Sequence, residues 1–230
     1  MVKTWVGMGL FCFLLPMVHG FDMGITEKEL GGEFRARYDR VFLNYFDMAI
    51  HGSLELKNRL ALNGGIALEF LEDTPNLNVF TKGETALPLP VPLYVALTYV
   101  YNRMPDYRTT VHSVVPGLSL KGRRAGVSLG SPLRFTSFYA EPAVFEMVFS
   151  FLVYVNFYYS DTAKFGMRCA NFDDYLFGNT GAYFLTAYYF CSFSTGISLI
   201  HELTLYQTGS ITFAANIYGL SYKGGVKFQW

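Results

Sequence analysis

The strictest pattern in this chain is an alternation of apolar and polar positions over residues 143–159. The even positions of this segment include Glu146, Ser150 and Asn156. Every odd position carries an apolar or aromatic side chain: Ala143, Phe145, Met147, Phe149, Phe151, Val153, Val155, Phe157 and Tyr159. A helix would spread these two sets around its circumference, whereas a strand puts them on opposite faces. The segment is therefore predicted to be a long strand with one continuous apolar face.

The same alternation recurs along most of the chain. It separates apolar from polar positions in residues 60–70 and, more loosely, in residues 211–217. Further strand candidates lie at residues 33–45, 48–57, 91–102, 107–120, 125–138, 164–171, 181–193 and 196–206. Turn-forming residues separate many of these segments, for example at residues 102–106 and 178–181. The pattern predicts an all-β protein made of many strands that are joined by short connections.

The last eleven residues alternate as well and end on an aromatic side chain. The apolar and glycine positions are Leu220, Tyr222, Gly224, Val226, Phe228 and Trp230, with polar residues or glycine between them. This segment resembles the final strand of bacterial outer-membrane β-barrels, which ends in Phe or Trp as a signal read by the assembly machinery. The resemblance implies that the assembly machinery is a partner and that its signal consists of Tyr222, Val226, Phe228 and Trp230.

The first twenty residues have the pattern of a secretory signal peptide. Lys3 supplies a positive charge, an apolar run follows over residues 5–15, and Val18 and Gly20 stand at −3 and −1 of a cut before Phe21. The apolar run is too short to cross about 30 Å of hydrocarbon as a helix. We therefore predict a cleaved signal peptide at residues 1–20 and one barrel domain at residues 21–230.

Composition narrows the alternatives to a membrane barrel. The formal net charge is +0, which does not favour nucleic acid as a partner, and aromatic residues make up 18%, as belts at a membrane surface require. Residues 175–200 and 203–222 contain no charged side chain, although the outward face of a soluble sandwich should be rich in charge. Their turn residues argue against membrane-spanning helices. The prediction is an antiparallel up-and-down transmembrane β-barrel of eight to twelve strands, surrounded by the lipids of a bacterial outer membrane.

If the apolar positions face lipid, the alternate positions line the lumen. The charged positions assigned to the lumen are Glu33, Arg35, Arg37, Asp39, Arg59, Glu69, Glu146, Arg168, Lys223 and Lys227, and Glu202 is a further candidate. Charge on the lipid face would cost about 2–4 kcal/mol per Lys or Arg near the midplane, although Arg40 and His201 break the pattern. The balance of acids and bases favours an ion-pair plug in a narrow barrel, whereas ten or twelve strands would leave a polar path.

No catalytic or metal site emerges from the residue pattern. His112 with Ser113, and His201 with Glu202, are adjacent in sequence, so a strand directs the two members of each pair to opposite faces. No close His or Cys spacing suggests a metal, and no cofactor is expected. An exported protein can form a disulfide between Cys169 and Cys191, but two isolated cysteines on apolar segments favour a role as small apolar side chains. We predict that the chain is not an enzyme.

The longest predicted connection is an extracellular loop at residues 71–92, which ends in alternating Leu, Val and Pro residues. In length, export signal and terminal strand, the chain resembles small barrels of the OmpW and OmpA transmembrane type. The OmpW resemblance implies a narrow channel or passive uptake route for small hydrophobic solutes. The OmpA resemblance implies instead a plugged structural barrel that contacts host surface molecules through its loops. Both functions remain open on the sequence.

Overall fold

The computed structural model describes residues 25–39, 43–56, 60–70, 74–139, 141–171, 182–193, 196–208 and 217–230. The predicted signal peptide at residues 1–20 lies outside these ranges, as do Arg40, Arg59 and most of the strand candidate at residues 211–217. Within the described ranges, no helix is long and apolar enough to cross a membrane.

The described part of the chain contains twelve strands. In chain order they are β1 (Ile25–Asp39), β2 (Leu43–Leu56), β3 (Leu60–Phe70), β4 (Asn76–Ala86), β5 (Leu93–Met104), β6 (Thr109–Lys121), β7 (Ala125–Gly130 and Leu133–Phe138), β8 (Val144–Met147 and Ser150–Tyr159), β9 (Ala163–Ala170), β10 (Ala182–Ser192), β11 (Ile197–Thr208) and β12 (Ile217–Gln229).

Strands β7 and β8 are each interrupted once without losing register. Pairing of β6 with β7 keeps the same offset on both sides of residues 131–132. Pro132 has no N–H group and cannot donate to the ladder, but its carbonyl oxygen accepts a hydrogen bond from Val148 N at 3.0 Å. The predicted strand at residues 143–159 is therefore a single strand with a local break at residues 148–149.

The strands form one closed antiparallel barrel. Each strand pairs with its neighbours in the chain, and β1 also pairs with β12, where Arg35 lies opposite Lys223. Closure leaves no unpaired sheet edge, which is the condition for a β-structure to cross lipid. The predicted all-β up-and-down barrel is confirmed, with the strand number at the upper limit of the predicted range.

The two faces of the wall differ sharply in burial. On β1 and β2, Phe34 and Met48 are 46% and 47% exposed, whereas Arg35 and Asp47 are 5% and 6% exposed. The same alternation continues around the barrel, so large apolar side chains cover the outside and most polar side chains point into the lumen. An exterior of this kind is stable in contact with lipid tails rather than with water.

The predicted loop at residues 71–92 is wrong, because its middle forms strand β4. The outward positions of this strand include Thr81, Gly83 and Thr85, while Phe80 faces inward and is 6% exposed. The contrast between its two faces is therefore too weak to predict a strand. The predicted break between residues 33–45 and 48–57 is also misplaced, since the connection lies at residues 40–42.

The two ends of the barrel carry connections of different length. One end, here called the turn end, holds Trp230 and the short connections 57–59, 87–92, 122–124, 160–162 and 193–196. The opposite loop end holds the connections 40–42, 71–75, 105–108, 139–143, 171–181 and 209–216. Outer-membrane barrels have short periplasmic turns and longer extracellular loops, so the loop end is the outer one. The proline-rich residues 87–92 thus lie at the periplasmic end, opposite to the predicted location.

The lipid-facing surface provides a direct test of this geometry. Leu203 is 48% exposed and lies near the middle of β11, whereas Leu120 is 42% exposed and lies next to the turn end of β6. We expect Leu203→Arg to reduce the free energy of unfolding in lipid bilayers by about 2–4 kcal/mol and Leu120→Arg by about 0–1 kcal/mol. Urea titration of folded protein in liposomes measures both. Equal losses would contradict the assigned membrane position.

Candidate functional site: the lumen at mid-height

An ion cluster centred on Lys223 lies on the lumen wall at mid-height. Lys223 is the seventh of the thirteen residues of β12. Its Nζ atom lies 3.1 Å from Glu33 Oε2 and 3.0 Å from Glu202 Oε2. The three side chains are each at most 9% exposed. Because both carboxylates are buried, each depends on the shared ammonium group to offset the loss of hydration.

Further contacts between polar side chains extend the cluster along the wall. Arg168 Nη2 lies 2.8 Å from Glu202 Oε2, and His51 Nε2 lies 3.3 Å from Glu33 Oε1. Arg35 Nε lies 3.7 Å from Asp47 Oδ2. We call this set the ionic arc; its members are Arg168, Glu202, Lys223, Glu33, His51, Arg35 and Asp47. Each of these pairs joins strands no more than two positions apart, so the pairs follow the wall instead of crossing the lumen.

The opposite side of the lumen has a different chemistry. Near the centres of β3 to β6, most inward side chains are small, apolar or hydroxyl-bearing. We call these residues the neutral arc: Gly65, Phe80, Thr98, Val100, Ser113 and Val115. Lys82, however, lies directly opposite Thr98, and its Nζ atom is 3.5 Å from Oε2 of Glu84, a residue that Lys121 also contacts. The lumen therefore carries the ionic arc on one side and, beside the neutral arc on the other, the separate charged cluster of Lys82, Glu84 and Lys121.

Several inward aromatic rings are folded flat against the wall by glycines. Gly126 lies directly opposite Tyr154 in the strand pairing, and Gly166 lies directly opposite Tyr188. A Cβ atom added to Gly126 would come within 2.6 Å of Tyr154 Cζ, and one added to Gly166 within 2.6 Å of Tyr188 Oη. Only glycine leaves room for a ring at this distance. The rings therefore cover the neighbouring strand instead of projecting across the lumen.

Hydrogen bonds hold both tyrosine rings in this position. Tyr154 Oη donates to the carbonyl oxygen of Gly122 at 2.8 Å. Tyr188 Oη donates to Asn156 Oδ1 at 2.6 Å, and Asn156 Nδ2 donates to the carbonyl oxygen of Arg123 at 2.6 Å. The aromatic part of the lumen lining is thus tied to the turn that joins β6 and β7.

The lumen-facing residues predicted from the sequence are only partly brought together. Five of them belong to the ionic arc: Glu33, Arg35, Arg168, Glu202 and Lys223. The side chains of Asp39 and Arg59 lie outside the described part of the structure. The remaining predicted residues contact other partners: Arg37 stacks on Tyr206 at 4.0 Å, Glu69 accepts a hydrogen bond from Asn76 at 3.1 Å, Glu146 lies 3.6 Å from Arg134, and Lys227 lies 3.7 Å from Glu29.

Two members of the ionic arc, Asp47 and His51, were not predicted. Asp47 was missed because the predicted connection between the first two strands fell on it. The apolar residues Met48 and Ile50 between them carry the alternation that could have identified both. Among the residues of the predicted assembly signal, Tyr222 and Phe228 are exposed on the outer face, and Trp230 N donates to Lys28 O at 3.1 Å. Their role in assembly stays a prediction.

The histidines on the outer face contact tyrosines. Tyr99 Oη lies 2.8 Å from His112 Nδ1, and Tyr222 Oη lies 2.6 Å from His201 Nδ1. Ser113, next in sequence to His112, is buried on the opposite face. In the described residues, no three His, Cys, Asp or Glu side chains form a group that could hold a metal ion, and Cys169 and Cys191 are free. That the chain is not an enzyme stays a prediction.

Comparison with known proteins identifies the fold. No family model and no curated protein sequence matches the chain. The NanC porin is 13% identical, with 86% of this chain and 98% of that one covered at a TM-score of 0.58. The KdgM porin in complex with disordered oligogalacturonate is 6% identical, with the coverages 86% and 98% and a TM-score of 0.57. The translocator domain of the autotransporter NalP from Neisseria meningitidis is 10% identical, with 99% and 97% covered at a TM-score of 0.60.

These similarities concern the fold alone, because the identities are low. The solved structures are outer-membrane barrels, and a closer likeness to OmpW stays a prediction. The closed barrel and its apolar exterior agree with the same environment. The chain is an outer-membrane β-barrel protein and is located in a bacterial outer membrane.

Proposed function

We propose that this barrel is a narrow passive channel for small solutes. The observation that carries the proposal is the position of two inward aromatic rings, Tyr154 and Tyr188, which lie against glycines on the neighbouring strand. Barrel diameter grows with strand number, and eight strands give an interior that side chains just fill. A barrel of twelve strands in which these two rings are flattened on the wall has room for a path along its axis.

The direction of the ion pairs supports a lined path rather than a plug. In a plug, opposite charges would meet across the lumen. The ion pairs of the ionic arc instead connect neighbouring or next-neighbouring strands, as in the chain from Arg168 through Glu202 and Lys223 to Glu33. The near balance of acids and bases, which favoured a plug on the sequence, is equally explained by pairing along the wall.

The charge balance of the ionic arc favours solutes without net charge. Leaving His51 aside, the ionic arc contains equal numbers of cationic and anionic side chains. The cations are Arg35, Arg168 and Lys223, and the carboxylates are Glu33, Asp47 and Glu202. On the other side, the neutral arc offers hydroxyl groups and apolar contacts beside the paired charges of Lys82, Glu84 and Lys121. KdgM is seen with oligogalacturonate, an acidic oligosaccharide. The paired charges of this chain suit small uncharged or zwitterionic molecules better than such a polyanion.

The alternative function, contact with host surface molecules, was based on a long extracellular loop that the structure does not contain at residues 74–92. The predicted extracellular loop at residues 71–92 is divided into a five-residue connection at the loop end, strand β4 and a connection at the turn end. We therefore place passage of solutes ahead of adhesion.

Swelling of liposomes tests the proposed channel. The full chain, expressed in a diderm bacterium and purified in detergent from its membranes, is reconstituted and diluted into isotonic solutions of neutral sugars of increasing size. We expect rapid swelling with the smallest sugars, a cut-off as size increases, and no preference between anionic and cationic solutes of similar size. Liposomes with heat-unfolded protein are the control. No swelling with any solute, from protein shown to be folded, would refute the proposal.

A further inference from the structure

An aromatic row crosses the outer face of the barrel near the loop end. Tyr101, His112, Phe135 and Phe145 are directly paired across β5 to β8, so they form one continuous line. The Phe135 and Phe145 rings are 4.7 Å apart. Aromatic belts of this kind mark the level at which the hydrocarbon core of a membrane meets the lipid headgroups. The positions immediately beyond the row therefore lie among headgroups.

Those positions carry two exposed arginines. Two residues beyond Tyr101 on the same face of β5 is Arg103, which is paired with Thr110, and Thr110 is paired with Ser137. Arg108 lies in the adjoining turn, where its guanidinium group stacks on the Tyr139 ring at 5.0 Å. The nearby Asp106 accepts a hydrogen bond from Thr74 N at 3.1 Å. We call Arg103, Arg108, Thr110 and Ser137 the rim patch.

The backbone conformation of Arg108 is an independent indication that its side chain has a binding role. Its φ angle is 50°, in the left-handed region, which costs a non-glycine residue about 1–2 kcal/mol. Arg108 N donates to Pro105 O at 2.9 Å, so the turn holds the residue in this conformation. Glycine would occupy the position without strain. An arginine here makes sense if its guanidinium group has a partner above the aromatic row.

We propose that the rim patch binds the phosphate groups of the outer-leaflet lipid, a phosphorylated glycolipid. Guanidinium groups bind phosphate through two parallel charge-assisted hydrogen bonds, and the hydroxyl groups of Thr110 and Ser137 add further donors. The aromatic row packs against the upper part of the acyl chains of the same lipid. The loop end is the outer end of the barrel, so the patch lies in the leaflet that contains such a lipid. This proposal does not depend on the proposed channel.

Lipid-dependent stability tests the rim patch. The purified full chain is placed in phosphatidylcholine liposomes with and without lipid A, and its thermal unfolding midpoint is measured. We expect lipid A to raise the midpoint of the wild type, and dephosphorylated lipid A to raise it much less. In the variant Arg103→Gln/Arg108→Gln, at least half of the rise is expected to disappear. The matched control, Arg123→Gln/Arg124→Gln, removes the same charge from the exposed turn at the opposite end and should keep the full rise.

Two further arms identify the ligand. Free inorganic phosphate should not raise the midpoint, because the acyl chains contribute to binding. Phosphatidylglycerol should raise the unfolding midpoint less than lipid A does. An equal rise would mean that the patch binds any anionic lipid, and it would overturn the proposal of a glycolipid site. A lipid A effect that survives in Arg103→Gln/Arg108→Gln, or that is lost equally in the control variant, would also overturn it.

Discussion

Replacing Lys223 with methionine is expected to lower the free energy of unfolding by about 3–5 kcal/mol, because breaking a buried ion pair leaves uncompensated charge in the interior. The substitution leaves Glu33 and Glu202 without the ammonium group that lies 3.1 Å and 3.0 Å from them. Methionine has a similar volume, so packing is largely kept. The loss should appear in urea unfolding of the protein in liposomes.

Lys227 provides the matched control for this variant. It lies four residues further along the same inward face of β12, and its side chain is 28% exposed, 3.7 Å from Glu29. Lys227→Met should cost less than about 1 kcal/mol, as is usual for solvent-accessible ion pairs. If the two variants lost similar stability, the lumen at mid-height would be as well hydrated as its mouth, and the buried ionic arc would be wrong.

Replacing Gly126 with alanine is expected to lower the single-channel conductance by a factor of about two. The reason is that interior side chains set the free width of a small barrel. The three atoms nearest to the added methyl group all belong to the Tyr154 side chain, so we expect its ring to swing into the lumen. The ring also gives up its hydrogen bond to Gly122, with a loss of about 1 kcal/mol of stability. Single-channel recordings and urea unfolding measure the two effects.

Two variants separate the position of the ring from a general effect of alanine. The double variant Gly126→Ala/Tyr154→Ala should recover the lost conductance, since no ring remains to be displaced. Gly32→Ala should behave as wild type, because its Cβ atom would meet only Ala49 O at 3.9 Å. A conductance of Gly126→Ala equal to that of the wild type would mean that the tyrosine ring does not border the path.

Alternation along the chain was sufficient to predict most of the strands, but not all. It succeeds where one face is aromatic or aliphatic throughout, as in β8. It fails for β4, where Phe80 faces inward and Thr81 faces outward, so the two faces differ little in polarity. The side of the wall on which a residue lies follows from its parity once one strand is placed, because charge is disfavoured in lipid.

The contacts of the site could not be predicted in the same way. Glu33 and Lys223 are 190 positions apart in sequence and meet because the first strand pairs with the last. The glycine and aromatic pairs likewise depend on register, since a shift of two residues would leave the Tyr154 ring without Gly126 opposite it. Alternation gives the face of each residue, whereas strand pairing decides its partners.

Current through a planar bilayer is the most direct test of whether the lumen is open. The purified full chain is inserted into the bilayer after heat-dependent gel mobility has shown that it is folded, with heat-unfolded protein as the control. We predict discrete current steps with little preference for cations over anions, because the ionic arc contains equal numbers of positive and negative side chains. Folded protein that inserts but remains silent at every voltage would contradict an open lumen and restore the ion-pair plug.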